Sequence, residues 1–212
     1  GPQEIIKIIA KAKAGFLIYG FFIYLLVILV RAWKWFLLIR IAGNKLEFKQ
    51  FLPFYFVNCL LGNITPFKAG EAAAPFLFKK YLKIPVGQGF SVVFLDRFFE
   101  LMTFAIIFAL TIFYIIPVFQ WALFPLFALI SLFVILIVSK KTSLKILGIF
   151  NLFKKYSLIK RVLEFAEKEL QIFYGGLSLF KNKKVYRFII PLTLICWFFE
   201  LLSFYFIVSS VL

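Results

Sequence analysis

The chain has 212 residues, 64% of them hydrophobic, with a mean hydropathy of +1.00, well above the roughly 45–50% apolar content of soluble domains. That composition describes an integral membrane protein, and 32 phenylalanines suit lipid-facing surfaces. The formal charge of +16 with no histidine excludes imidazole acid–base chemistry and His-containing metal sites.

The positive charge does not point to nucleic acid, because no basic helix with interleaved aromatics stands outside the apolar runs. Basic residues beside spans set topology and meet anionic headgroups. Cys59 and Cys196 both sit inside apolar segments, which suggests neither a disulfide framework nor a metal site. No cofactor motif occurs.

Gly1-Pro2 reads as a protease scar, and residues 3–212 as a single transmembrane domain. Residues 3–13 carry Glu4, Lys7, Lys11 and Lys13 on an apolar background, the pattern of an interfacial amphipathic helix. Residues 14–30 are uncharged and form a first span, extended toward Ile41 and stopped by Gly43-Asn44. Arg31, Lys34 and Arg40 beside Trp33 and Trp35 read as interfacial anchors.

Residues 51–67 and 72–78 are apolar but short, and the break between them holds Asn63, Pro66, Lys68, Gly70 and Glu71. Breaking a helix in hydrocarbon frees backbone groups that cost several kcal/mol each, so such a break belongs where protein or a polar cavity surrounds it. Two half-length helices returning to one face, a re-entrant pair over 51–78, account for this; one kinked crossing helix is the alternative. Asn58 and Asn63 are candidates to satisfy the freed backbone groups. If a half-helix begins near Gly70, its N–H groups and Lys68 would face a phosphate. Glu71 would then orient Lys68, take a proton or hold a cation, or else simply cap the helix.

Lys79, Lys80 and Lys83 mark a basic loop, and Pro85 opens the next helix. The run to Ser139 divides at Pro117 into spans over 88–115 and 118–138. Asp96, Arg97 and Glu100 lie inside the first, within about one turn, where ionisable groups are costly and functional by default. Arg97 can pair with Glu100 at i,i+3. Residues 140–187 hold twelve Lys or Arg against three Glu, with Ile159, Leu163, Ala166, Leu170 and Phe173 at helical spacing. This is a cytoplasmic amphipathic helix or helix pair ended by Gly175-Gly176. The last span, 188–212, contains Glu200, whose expected partners are Arg97, Lys68 or a polar cavity. The fold is therefore all-α: a polytopic membrane protein with about four spans, a re-entrant pair and an amphipathic surface helix.

Asn63-x-x-Pro66-x-Lys68-x-Gly70-Glu71, then a basic loop, then Leu95-Asp96-Arg97-Phe98-Phe99-Glu100 resembles the flippase-like transmembrane domain of lysylphosphatidylglycerol synthases and its stand-alone bacterial and archaeal relatives. The family's usual wording is Pro-x-Arg-x-Gly-Glu followed by Glu-Arg-x-x-Asp. Here Lys68 replaces the Arg, and Asp96 and Glu100 exchange the two acids. The family's second-half Pro-Gly-Gly segment does not occur before Leu212. The resemblance implies a transporter in the cell membrane, multi-pass and prokaryotic, that moves an anionic or phosphate-bearing lipid between leaflets without a cofactor. Asn63, Pro66, Lys68, Gly70, Glu71, Asp96, Arg97, Glu100 and Glu200 would line its path. Two partner arrangements stay open, a homo-oligomer or a separately encoded enzyme. The rival readings are a membrane enzyme for glycosyl or phosphoryl transfer on lipid-linked substrates, which has no histidine, paired-acid metal motif or nucleotide-binding segment to work with, and a non-catalytic membrane subunit.

Overall fold

A computed structural model describes residues 13–115, 121, 124, 125, 127, 128, 131 and 157–211, without the side chains of 67–69, 115 and 157–162. Among the described residues every regular element is a helix. In order they form α1 (Ala14–Ile41), α2 (Phe48–Ile64), a 3-10 segment (Pro66–Ala73), α3 (Ala74–Leu82), α4 (Val86–Ile115), α5 (Ser157–Gly176), a second 3-10 segment (Leu177–Lys181) and α6 (Lys183–Ser209). The expected helix at 3–13 lies outside the described residues except for Lys13, the expected span at 118–138 is described only at 121, 124, 125, 127, 128 and 131, and the start of the basic loop at 140–156 lies outside them.

α1 and α6 are antiparallel partners along most of their length. Lys13 donates to the Ser210 carbonyl, and the Ser203 hydroxyl donates to the Gly20 carbonyl at 2.9 Å. Gly20 permits this approach, since a Cβ there would stand 2.9 Å from Ile207. Both helices are long and apolar enough to cross a membrane, at mean hydropathies of 2.2 and 1.9. Tyr19, Phe21, Phe22, Phe198, Phe204 and Tyr205 on their outer faces are all more than half exposed, which suits hydrocarbon rather than water. α4 is as long, at 30 residues, but carries its charged turn internally.

α2 and α3 form an antiparallel hairpin. Phe51 packs on Phe78 and Phe54 stacks on Tyr81 at the base, while Gly62 lies against Glu71 near the tip. The 17 residues of α2 rise about 25 Å at 1.5 Å each, the nine of α3 about 14 Å, and the 3-10 segment carries the chain from the tip into α3.

The core sits between α1, the hairpin, α4 and α6, around Trp35, Phe51, Tyr55, Phe78, Leu95 and Ile189. Gly43, at φ +97°, turns the chain after α1, and Lys83, at φ 58°, closes α3. The described part of the basic loop is compact. α5 packs across the N-terminal half of α4, and α6 begins at Lys183, well inside the expected loop, because the Asn182 side chain accepts from the Lys184 N–H and caps it. Gln88 donates to the Ala42 carbonyl, and Ile41, Gln88, Gly176 and Asn182 line one cavity. The C-terminus of α1 and the starts of α4 and α6 therefore share one end of the molecule with the hairpin base. That end carries Arg40, Lys45, Lys49, Lys79, Lys80, Lys83, Lys181, Lys183, Lys184 and Arg187.

Candidate functional site: a buried ion-pair network

Seven charged side chains from four parts of the chain meet in one network. Lys34 of α1 is fully buried, with Nζ 2.7 Å from Asp96 and 3.3 Å from Glu100. Arg31, one turn earlier, reaches Glu200 of α6 at 2.7 Å and Glu100 at 3.5 Å. Arg97 contacts its neighbour Asp96 at 2.9 Å, Glu100 at 2.8 Å and Glu71 of the hairpin at 3.5 Å. The expected i,i+3 pairing of Arg97 with Glu100 is thus present. It is one link of a larger array.

Two expectations are corrected. Arg31 and Lys34 are not interfacial anchors; they supply two of the three cations of the network. Their i,i+3 spacing puts them on one face of α1, opposite the acids of α4. Glu200 pairs with Arg31 rather than with Arg97. Sequence reasoning missed both because the Trp33–Trp35 setting matches a headgroup belt. The available signal was the surplus of acids at Glu71, Asp96, Glu100 and Glu200 over Arg97, which called for more basic partners.

The break is also built differently from expectation. Thr65, and neither asparagine, closes it. Its hydroxyl donates to the Leu61 carbonyl at 2.8 Å and accepts from the Gly70 N–H at 2.6 Å. The Gly70 N–H is therefore spent within the turn and does not face a ligand. Gly70 lies so close to the Leu61 carbonyl that a Cβ would overlap it. Asn58 is buried with Oδ1 unbonded, while Asn63 and Pro66 are exposed at the tip. The 3-10 segment starts at Pro66 and α3 at Ala74, so no α-helix begins at Gly70. The backbone of Lys68 belongs to this 3-10 segment, and its side chain lies outside the described residues.

Among the described residues the network contains three cations and four carboxylates, a formal excess of one negative charge. Burial grades across it. Lys34 and Asp96 are closed off, whereas the Arg97 side chain is 31% exposed and Glu200 33%. Arg97, beside the hairpin tip, is thus the network's most accessible cation, and its planar fork can take a phosphate or carboxylate in bidentate fashion. Among the described residues no three His, Cys, Asp or Glu stand close enough to hold a metal ion. Cys59 and Cys196 form no disulfide among the described residues.

Comparison with known proteins places this architecture. A UPF0104 membrane protein of Methanocaldococcus jannaschii is 25% identical over 210 residues, covering 92% of this chain and 61% of the relative. A UPF0104 membrane protein of Methanothermobacter thermautotrophicus is 24% identical over 228 residues, covering 99% of this chain and 67% of the relative. The chain thus spans about three fifths of the first and two thirds of the second. No solved structure matches it significantly. The family model for the lysylphosphatidylglycerol synthase TM region matches residues 1–211, and with an all-helical fold and long apolar α1 and α6, the chain belongs to this family of membrane proteins.

Proposed function

We propose that this protein moves a phosphate-bearing membrane lipid between leaflets, with the ion-pair network as the polar station for its headgroup. The observation that carries the reading is a mutually neutralised charge cluster that grades from the sealed Lys34–Asp96 pair to the accessible Arg97–Glu71 edge. From Arg31 to the end of α1 at Ile41 is about 15 Å of rise, half of a hydrocarbon core about 30 Å thick. If the basic end marks the cytoplasmic headgroup level, the network sits near mid-membrane. The hairpin is then re-entrant, entering and leaving on the cytoplasmic side with Thr65–Glu71 at its inner tip.

A headgroup phosphate reaching this level competes with Glu71 for Arg97. Glu71 is the most distant of the three carboxylates on that guanidinium. The surplus of acid keeps the phosphate from being trapped, since transit requires binding strong enough to enter and weak enough to leave. Asp96 and Glu100 hold Arg97 from below without needing to move.

The test is transbilayer movement of labelled anionic lipid in proteoliposomes. Wild type is expected to be fast, Glu71→Gln slowed, and Arg97→Ala slowed at least about tenfold, the loss of one charge-assisted contact worth about 1.5–3 kcal/mol. Unchanged rates in Glu71→Gln and Arg97→Ala, with both proteins folded, would sink the proposal. Glu71 lies at the network's edge, so its variant remains informative should Arg97→Ala fail to fold.

A further inference from the structure

A second feature lies away from the network, at the basic end. α3, the start of α4 and α5 enclose a groove of about 400 Å³, within the roughly 300–1,000 Å³ range of ligand sites. Its walls are Phe76, Val86, Phe90, Ala166, Leu170 and Phe173. Its one ionisable side chain, Glu169, has both oxygens engaged: Oε2 accepts from the Gly87 N–H at 2.7 Å and Oε1 from Lys79 at 3.0 Å. The groove therefore presents no free carboxylate and calls for an apolar occupant.

Two glycines let α5 approach α4 closely beside the groove. Gly87 touches the Glu169 carbonyl and Gly176 touches Ser91, each so closely that a Cβ would overlap. α5 is seated on α4 at two points, and the groove is pre-formed along this seam. Phe76 and Phe165 are both substantially exposed at its rim. Lys79 lies 4.2 Å over the Phe165 ring, and Lys80 and Lys83 are exposed on the same end of α3.

We propose that this groove holds one hydrocarbon chain of an anionic bilayer phospholipid, with its headgroup phosphate on Lys80 and Lys83. A chain leaving the bilayer gains no hydrophobic free energy, because lipid tails are as apolar as the groove wall. Preference must come from packing in the fixed walls and from the lysines, so the occupant is an anionic rather than a zwitterionic phospholipid. From Gly87 to Arg97 is about 15 Å of rise along α4. The groove is thus a resident-lipid site apart from the network, and it stands whether or not the protein moves lipid.

The experiment is photolabelling in nanodiscs with phosphatidylglycerol carrying a mid-chain diazirine, followed by peptide mapping. Adducts are expected on Phe90 and on the Phe165–Phe173 stretch, saturating at one lipid per chain. Chain-matched phosphatidylcholine should label this site about tenfold less, as two lysines near a phosphate imply. Ala166→Trp, which fills the groove, should remove the adducts, and Lys80→Glu with Lys83→Glu should bring the two lipids to parity. Unsaturable labelling spread over the outer faces of α1 and α6, or equal labelling of wild type by both lipids, would overturn the assignment. These last readouts need only the wild-type protein, so they decide even where Ala166→Trp does not fold.

Discussion

Lys34→Met removes a charge and keeps most of the volume of a side chain that is fully buried. Asp96 loses its 2.7 Å partner and retains Arg97 at 2.9 Å; Glu100 retains Arg97 and Arg31. The network passes from a formal charge of −1 to about −2 in a site closed to water. Breaking a buried pair by removing one partner costs about 3–5 kcal/mol, and Lys34→Met is expected to fall in that range. Asp96→Asn alone leaves Lys34 with Glu100 at 3.3 Å and should cost a comparable amount. The double variant returns the network to its native charge. If the two side chains act as a pair, its loss should be no larger than that of Lys34→Met alone, giving a coupling of about 3 kcal/mol or more. Reversible unfolding of the four proteins in detergent, scored as a double-mutant cycle, measures this directly. Additive losses, with the double variant down by the sum of the singles, would show that Lys34 and Asp96 do not act as a pair.

Three further outcomes follow from the same geometry. Thr65→Val leaves the Gly70 N–H and the Leu61 carbonyl without the hydroxyl that joins them; thermal unfolding should show a loss of about 1–3 kcal/mol, largely rescued by Thr65→Ser. Gly70→Ala forces a Cβ onto the Leu61 carbonyl, so the tip must open, at about 1–3 kcal/mol, seen as a longer distance between labels at Asn63 and Ala72. The Glu169 carboxyl, which burial alone would raise, is held below its usual range by the Gly87 N–H and by Lys79. A lowered folded-state value means its stabilisation is full above the ordinary glutamate range and is lost as pH falls below that range through the folded value. Hydrogen exchange in α5 should therefore rise on acidification in wild type and stay flat in Glu169→Gln.

Much of the helix plan was legible in the sequence because charge gaps and breakers act locally. The uncharged run after Lys13 starts α1, Gly43 ends it, Pro85 precedes α4 and Gly176 ends α5. The Pro66–Glu71 break was visible because Pro, Gly and charge rarely coincide in an apolar run. Less legible was anything decided by a distant partner. The Trp33–Trp35 setting gives Arg31 and Lys34 the same local pattern whether they face headgroups or carboxylates, and only the packing of α1 against α4 and α6 decides between them. The two arms of the hairpin differ for a local reason: α2 runs 17 residues, α3 only nine, and the 3-10 segment between them continues the helical chain rather than leaving a gap. Asn58 and Asn63 drew notice as amide donors, while Thr65, with a smaller side chain beside the orphaned groups, closes the turn within hydrogen-bond reach.

The hairpin is fastened unevenly, and this bears on how the site could work. At its base Phe51 and Phe78 interlock with each other and with the Trp35–Tyr55 pair, a contact set that must be unpacked at the cost of buried area. At its tip Glu71 meets the body of the protein through Arg97 at 3.5 Å, longer than the 2.7–2.9 Å of the Lys34–Asp96, Arg31–Glu200, Arg97–Asp96 and Arg97–Glu100 bonds and more exposed than the equally long Arg31–Glu100 contact. Charge-assisted bonds weaken as they lengthen and as their partners gain access to water, so the Glu71 link is the cheapest to exchange. On the translocation reading, an anion taking that position on Arg97 would release the tip while the Lys34–Asp96 pair and the aromatic base hold. The moving part is then the short turn closed by Thr65, and the remainder of the network serves to keep Arg97 charged and in place while its outer partner changes.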